Sequence, residues 1–183
     1  MRVVAQYSFN NGLEELQTNY ARLLKEVMEA VDQVNAAACK TKISKEKTMM
    51  GRLLYSPIAL NKAILKDHLY KRGWASRRID LNTKIPEIGM SHSGFIEADA
   101  VKGGVGVEVQ FGKYAFLGWD IFGKMVIFAR KGLIRVGIEI VPMPELQAEM
   151  SSGVGSFAQI KQVLENRGVG DIDLPVGVFG VAP

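Results

Sequence analysis

The sequence predicts an α/β fold in which a mixed β-sheet is flanked by helices. Three observations carry the prediction. Apolar residues recur at helical spacing over residues 12–36 and again after Ser56-Pro57. Apolar and polar residues alternate on both sides of Gly103-Gly104. Apolar, β-branched runs at 134–142 and 174–181 read as further strands.

Taken in order, residues 2–9 (Arg-Val-Val-Ala-Gln-Tyr-Ser-Phe) suit a strand or a packed terminal arm. Asn11 with Glu14 three residues on has the form of a capping box. Leu13, Leu16, Tyr20, Leu23, Val27, Ala30 and Val34 then predict one long amphipathic helix over 12–36. Residues 40–47 are basic. Ser56 followed by Pro57 starts a second helix, carried by Leu60, Ile64, Leu65 and Leu69 to Arg72 and stopped by Gly73. Residues 75–94 show no clear period. Strands are expected at 95–101 and 105–111, a helix at 114–123, and strands at 125–130 and 134–142. Ser156 can cap a helix ending before Gly168, and residues 174–181 form a last strand.

The 183 residues suit a single domain over 1–183 with one sizeable core. Apolar residues make up 48 % and charged residues 23 %, a globular rather than a disordered composition. No run approaches the roughly 18 apolar residues of a membrane span, and the N-terminus turns polar too soon for a signal peptide. Cys39 is the single cysteine, which excludes an intrachain disulfide and fits a cytoplasmic location. His68 and His92 offer no zinc-type cluster with it. The net charge of +4 permits an anionic partner without demanding one.

The informative stretch is Phe95-Ile-Glu-Ala-Asp-Ala-Val-Lys-Gly-Gly-Val-Gly-Val-Glu-Val-Gln-Phe111. With Gly103-Gly104 as a two-residue turn, Asp99 faces Glu108 and Glu97 faces Gln110. Strand alternation puts these four on one face, and Ile96, Ala98, Ala100, Val105, Val107, Val109 and Phe111 on the other. The apolar face explains itself as core. Two carboxylates directly opposite on antiparallel strands destabilise the pair. A hard cation between them would turn the repulsion into ligation, as in Mg²⁺ sites. A solvated strand face, screened by water and Lys102, is the plainer alternative.

An Asp followed nine residues later by Glu-Val-Gln resembles the signature of the PD-(D/E)xK nucleases, with Gln110 where lysine is usual. That departure resembles the type II restriction endonucleases of the BglII/BstYI type. Further matching runs are Cys39-Lys-Thr-Lys with Ser44-Lys-Glu-Lys-Thr48, Leu54 to Asn61, Glu108 to Tyr114, Glu139-Ile-Val-Pro-Met143, Glu145 to Gly153 and the terminal Gly-Val-Ala-Pro183. Region 83–95 looks shorter than in that family, which counts against a subdomain or DNA-enclosing arm there.

The resemblance implies a restriction-endonuclease-like core. It further implies Mg²⁺ held by Asp99, Glu108 and the Val109 carbonyl, with Gln110 orienting water or metal contacts and Glu97 standing behind them. It implies a homodimer on double-stranded DNA, a palindromic site centred on GATC, and a cognate DNA methyltransferase in the same cell. Lys42 and Lys45 in the basic stretch, Lys113 after the strand, and Ser151 and Ser152 in the small-residue loop are the DNA-contact candidates. Each has a plain reading as a solvated lysine or a linker serine. The glycines of 103–106 are turn chemistry and not a phosphate cradle, because a strand and not a helix follows them. Two alternatives stand beside the main reading: a structure-directed repair or resolvase-type nuclease, and a DNA-binding module without catalysis.

Overall fold

The computed structural model describes residues 1–183. In chain order the elements are β1 (Arg2–Phe9), α1 (Gly12–Asn19), α2 (Ala21–Asp32), β2 (Lys42–Ile43), β3 (Leu53–Leu54), α3 (Pro57–Ile64), β4 (Ala75–Ile85), β5 (Met90–Lys102), β6 (Val105–Val109), α4 (Ala115–Trp119), α5 (Met125–Arg130), β7 (Val136–Pro142), α6 (Pro144–Gln147), α7 (Phe157–Arg167) and β8 (Val176–Ala182). Wide helical turns, Leu65–Leu69 and Asp120–Lys124, prolong α3 and join α4 to α5.

Six strands form one sheet in the order β1-β8-β7-β6-β5-β4. The two central pairs, β6–β7 and β7–β8, are parallel; β1–β8, β4–β5 and β5–β6 are antiparallel. The sheet is therefore mixed, as predicted. β2 and β3 make a separate small ribbon. The parallel centre requires crossovers, which carry α4, α5 and α7 onto one face, while α1 to α3, between β1 and β4, cover the other. On one face α1, α2 and α3 bury Leu16, Leu23, Val27, Leu60 and Ile64 against Val107, Val109, Ile138 and Ile140. On the other face α4, α5 and α7 bury Leu117, Ile121, Met125, Phe128, Ile160 and Leu164 against Val141, Val176 and Val178.

Several local expectations change. The predicted helix 12–36 breaks at Tyr20, whose φ is −132° and ψ is 24°. The break lets α1 lie along β1, β7 and β8 while α2 reaches the wide turn after α3. Asn11 takes a left-handed conformation and makes no side-chain cap. Ser8 does that work instead: its Oγ accepts from Leu13 N–H and its hydroxyl donates to Glu14. Ser56 caps α3 as expected, accepting from Ala59 N–H at 3.3 Å, and the helix ends at Gly73 with φ 82°.

Residues 125–130 are helix, not strand. Met-Val-Ile-Phe-Ala-Arg is a short apolar run whose period cannot separate a buried strand from a buried helix turn. Residues 75–94, which show no period, form most of the β4–β5 hairpin, which turns through Pro86–Ile88 at the sheet edge. An arm is present after all. Most of its side chains beyond Ile79 and Ile96 are exposed or half-buried, so no core imposes a pattern on them.

Candidate active site

The β5–β6 hairpin forms on the predicted register. Gly103 and Gly104 have φ of 54° and 89°, a turn that a side chain would strain. Ala100 pairs with Val107, Val101 with Gly106 and Lys102 with Val105. The ladder then stops, one step short of Asp99 and Glu108.

A bulge causes the stop. Ala75 pairs with Val101 but Arg77 with Ala98, so Asp99 and Ala100 together oppose Ser76. An extra residue bends its strand and re-aims its side chains. Ile96 and Ala98 consequently pack on the α4–α5 face, and Ala100 on the α1–α3 face. The expected common face of Ile96, Ala98 and Ala100 does not exist. Glu97 alternates with Ile96 and Ala98, so it falls on the opposite face from them; it is exposed, beside Tyr70, and leaves the site.

The opening leaves backbone groups without ladder partners, and side chains supply each one. Val109 N–H donates to Asp99 Oδ2 at 2.9 Å. Asn61 Nδ2 on α3 donates to the Val109 carbonyl at 3.1 Å. The Tyr70 hydroxyl donates to the Asp99 carbonyl at 2.8 Å. Asp99 and Glu108 are thus held at the parting of two strands, on rigid elements.

Glu108 alternates with Val107 and Val109 and so faces α4–α5. Its parallel neighbour in register on β7 is Glu139. One step earlier the same two strands carry Gly106 and Gly137, also paired. A side chain at 137 would collide with the Met125 sulfur on α5, and one at 106 would crowd Ile134 in the loop before β7. Gly137 lets the helix approach closely, and the wide turn Asp120–Lys124 that precedes it lies over the carboxylates. Lys124 Nζ lies 2.8 Å from Glu108 Oε2 and 2.7 Å from Asp120 Oδ1. Gln110 Nε2 donates to Asp120 Oδ2 at 2.6 Å, and Gln110 Oε1 accepts from Gly112 N–H at 2.9 Å. One chain of contacts therefore runs Glu108–Lys124–Asp120–Gln110.

Charge is crowded here. Burial raises the pKa of Asp99, against the Val109 N–H and the Lys124 ammonium, which favour its ionised form. Burial and the neighbouring Asp99 push Glu108 well above the ordinary carboxylate range. Glu139 is fully buried, neither of its oxygens has a partner, and burial likewise pushes it well up. Lys124 is held protonated by Glu108 and Asp120 despite its own burial. The Glu108–Lys124 pair pulls two ways, since the lysine favours an ionised Glu108 and burial a neutral one. The ammonium stays charged in either case, because Asp120 holds it too. Glu139 has no donor to offset its burial, which favours its neutral form.

The sequence singled out Asp99, Glu108 and Gln110, and these converge. It missed Asp120, Lys124, Glu139 and Asn61. Glu139 had a signal, as the one charged residue in the apolar run Val136–Pro142. Asp120 and Lys124 form an i,i+4 pair inside an apolar helix, a weaker signal. Asn61 had none; its Oδ1 is buried without a partner.

The DNA-contact candidates also gather. Lys42 Nζ donates to Ser151 Oγ. Ser152 N–H donates to both Glu46 oxygens, at 3.2 and 3.0 Å. Lys113 bridges to Val154, and Gly155 N–H reaches the Gly112 carbonyl, which ties this loop to the end of the Gln110 strand. Lys45 is exposed on the same segment as Lys42 and bonds to none of them.

As to a metal ion, no three His, Cys, Asp or Glu side chains group so as to hold one by themselves. Two carboxylates, a backbone carbonyl and oxygens from water or substrate make up a usual Mg²⁺ set. Asp99 and Glu108 stand at the strand opening, where the Val109 peptide donates its N–H to Asp99 Oδ2. Two neighbouring acids beside a backbone carbonyl are a donor set that a divalent cation fits.

The model of a family described as restriction endonuclease BglII/BglIII matches residues 4–181. Among solved structures the chain is similar to that of restriction endonuclease BglII complexed with a DNA 16-mer. The TM-score is 0.72 at 22 % identity, over 98 % of this chain and 76 % of that one. That likeness is one of fold. No curated protein matches the chain.

Proposed function

The chain belongs to the BglII/BglIII restriction endonuclease family, and on that premise we propose that it cuts both strands of double-stranded DNA at a short GATC-centred palindrome, as a Mg²⁺-dependent homodimer. Membership makes the protein a site-specific deoxyribonuclease and removes the reading as a DNA-binding module without catalysis. The observation that carries the proposal is the convergence of Asp99 and Glu108 where β5 and β6 part, on a match spanning nearly the whole chain.

Asp99, Glu108 and the Val109 carbonyl would hold the ion. When bound it supplies a polarised phosphate, a more acidic water and charge for the leaving oxyanion. Asp99 is kept in place by the Val109 N–H, so its free oxygen is presented without a rotamer search. Gln110 is fixed at both ends of its amide, by Gly112 and Asp120, and so orients polar groups beside Glu108 without supplying charge. Asn61 fixes the Val109 peptide from the other face.

The loop carrying Ser151 and Ser152, with Lys42, Lys45 and Lys113 around it, is the proposed DNA-reading surface. Serine can donate or accept at a base edge, which suits relaxed reading of an outer base pair. For the homodimer, α1 and α2 offer little, because they spend their apolar residues on the core. Exposed Phe116 and Trp119 on α4, with Tyr114 just before it, are a better candidate. As a single domain, the chain carries one such site, so cutting two strands calls for two copies related by a two-fold axis. No helix is long and apolar enough to cross a membrane, and a cytoplasmic setting with a cognate methyltransferase completes the proposal.

Digestion of a sequenced plasmid with Mg²⁺, and again with chelator, tests it. Discrete fragments whose ends share a GATC centre are expected, and none with chelator. Heterogeneous products without a common site would refute the specificity.

A further inference from the structure

We infer that Lys124 is the positioning cation of this site, taking over from outside the strand the charge that a lysine at position 110 would have brought. The inference rests on the nuclease reading above and concerns a residue outside the Asp-Glu-Gln signature. Position 110 holds a neutral side chain, in a site of four carboxyl groups. Within it one ammonium is present, and it comes from the turn between α4 and α5, fourteen residues further along the chain.

Three observations carry it. Lys124 is held on two sides, by Glu108 at 2.8 Å and Asp120 at 2.7 Å, with its side chain 14 % exposed, so its position is fixed. Asp120 binds Lys124 through Oδ1 and Gln110 through Oδ2. Two donors on one carboxylate stand beside each other, so the ammonium lies next to the Gln110 amide. A lysine at 110 shares that strand face and the same reach toward Asp120. Finally, Gly137 is what permits α5 to approach the sheet, since a side chain there would strike Met125. A cluster maintained only for stability would be simpler as apolar packing, because buried ion pairs seldom outdo it.

A buried ammonium on Glu108 does two things. It fixes the carboxylate that would hold the metal ion, and it offsets the negative charge that gathers at the site when a phosphate enters. It also competes with a divalent cation for Glu108. Removing it therefore has opposite effects on catalysis and on metal affinity, which loss of structure would not produce.

The test uses the full chain with K124M, K124R and the double variant K124M/Q110K. Readouts are single-turnover cleavage of plasmid DNA, Mn²⁺ affinity without DNA by electron paramagnetic resonance, and far-UV circular dichroism. K124M is expected to cut about 10²-fold more slowly, the scale of one lost charge-stabilising donor, while Mn²⁺ binds severalfold more tightly. K124M/Q110K is expected to recover at least a tenth of the wild-type rate, and K124R to fall between. Cleavage by K124M at the wild-type rate would overturn the assignment. So would loss of cleavage and Mn²⁺ affinity together, or a double variant no better than K124M in a folded protein. A wild-type protein that cuts no DNA would instead remove the nuclease reading itself, and this inference with it.

Discussion

Replacing Asp99 separates its chemical role from its structural one, because the carboxylate does both jobs with different atoms. Oδ2 accepts the Val109 N–H at 2.9 Å, where the bulge has removed the ladder partner. Asp99→Asn keeps an acceptor for that N–H and removes one negative charge from a crowded site. Asp99→Ala removes both. Val109 is buried, so its orphaned N–H costs about 1–3 kcal/mol. Relief of the like charges returns about 0.2–1 kcal/mol in either variant. Asp99→Asn should therefore be as stable as wild type or slightly more so without metal. Asp99→Ala should be about 1–3 kcal/mol less stable than Asp99→Asn, or about 2–12 °C in Tm for a chain of this size. Both should lose at least about 10³-fold in cleavage, about 4 kcal/mol at 1.36 kcal/mol per decade. Thermal unfolding and single-turnover cleavage measure the two quantities. Equal stability of the Asn and Ala variants would refute the structural role of Oδ2. An Asn variant that cuts at the wild-type rate would refute the site assignment.

Other consequences can be checked alongside. Asp99, Glu108 and Glu139 are all raised in the folded protein, so the native state binds more protons than the unfolded one above the ordinary carboxylate range. Metal-free stability should then be greatest at or below about pH 4.5 with respect to these groups and fall as pH rises. Glu139→Gln should flatten that fall, and a stability that climbs over the same range would count against the buried cluster. Equilibrium sedimentation should give a dimer that Trp119→Glu weakens; a monomer with and without cognate DNA would defeat the two-fold proposal. Ser152→Leu should broaden or shift the outer-base preference while the GATC centre survives, read by sequencing cut ends from a random-site library. Trimming residues 81–94 to a tight turn should change Tm little, since no residue in that segment is fully buried; loss of folding would show that the arm is part of the core.

The sequence alone determined whatever a short stretch of backbone specifies. Gly103-Gly104 set the turn, the turn set the register of Ala100–Lys102 on Val105–Val107, and that register brought Asp99 and Glu108 to the end of the ladder. Ser56-Pro57 and Gly73 bounded their helix for the same reason: caps and turns are settled within a few residues. The fold class was legible because periodicity reports which side of an element is buried. Tertiary structure decided what depended on distant partners. The bulge at Asp99-Ala100, which carries Glu97 off the face and opens the ladder, exists because β4 pairs out of step with β5. The run 125–130 is helix because it buries Met125, Val126 and Phe128 against the sheet, with Met125 over Gly137. Glu139 and Lys124 join Glu108 through a parallel pairing and a crossover helix, across 31 and 16 residues of chain. Nothing local announces such a meeting: burial on both faces of a central parallel strand erases the alternation that marks an exposed one.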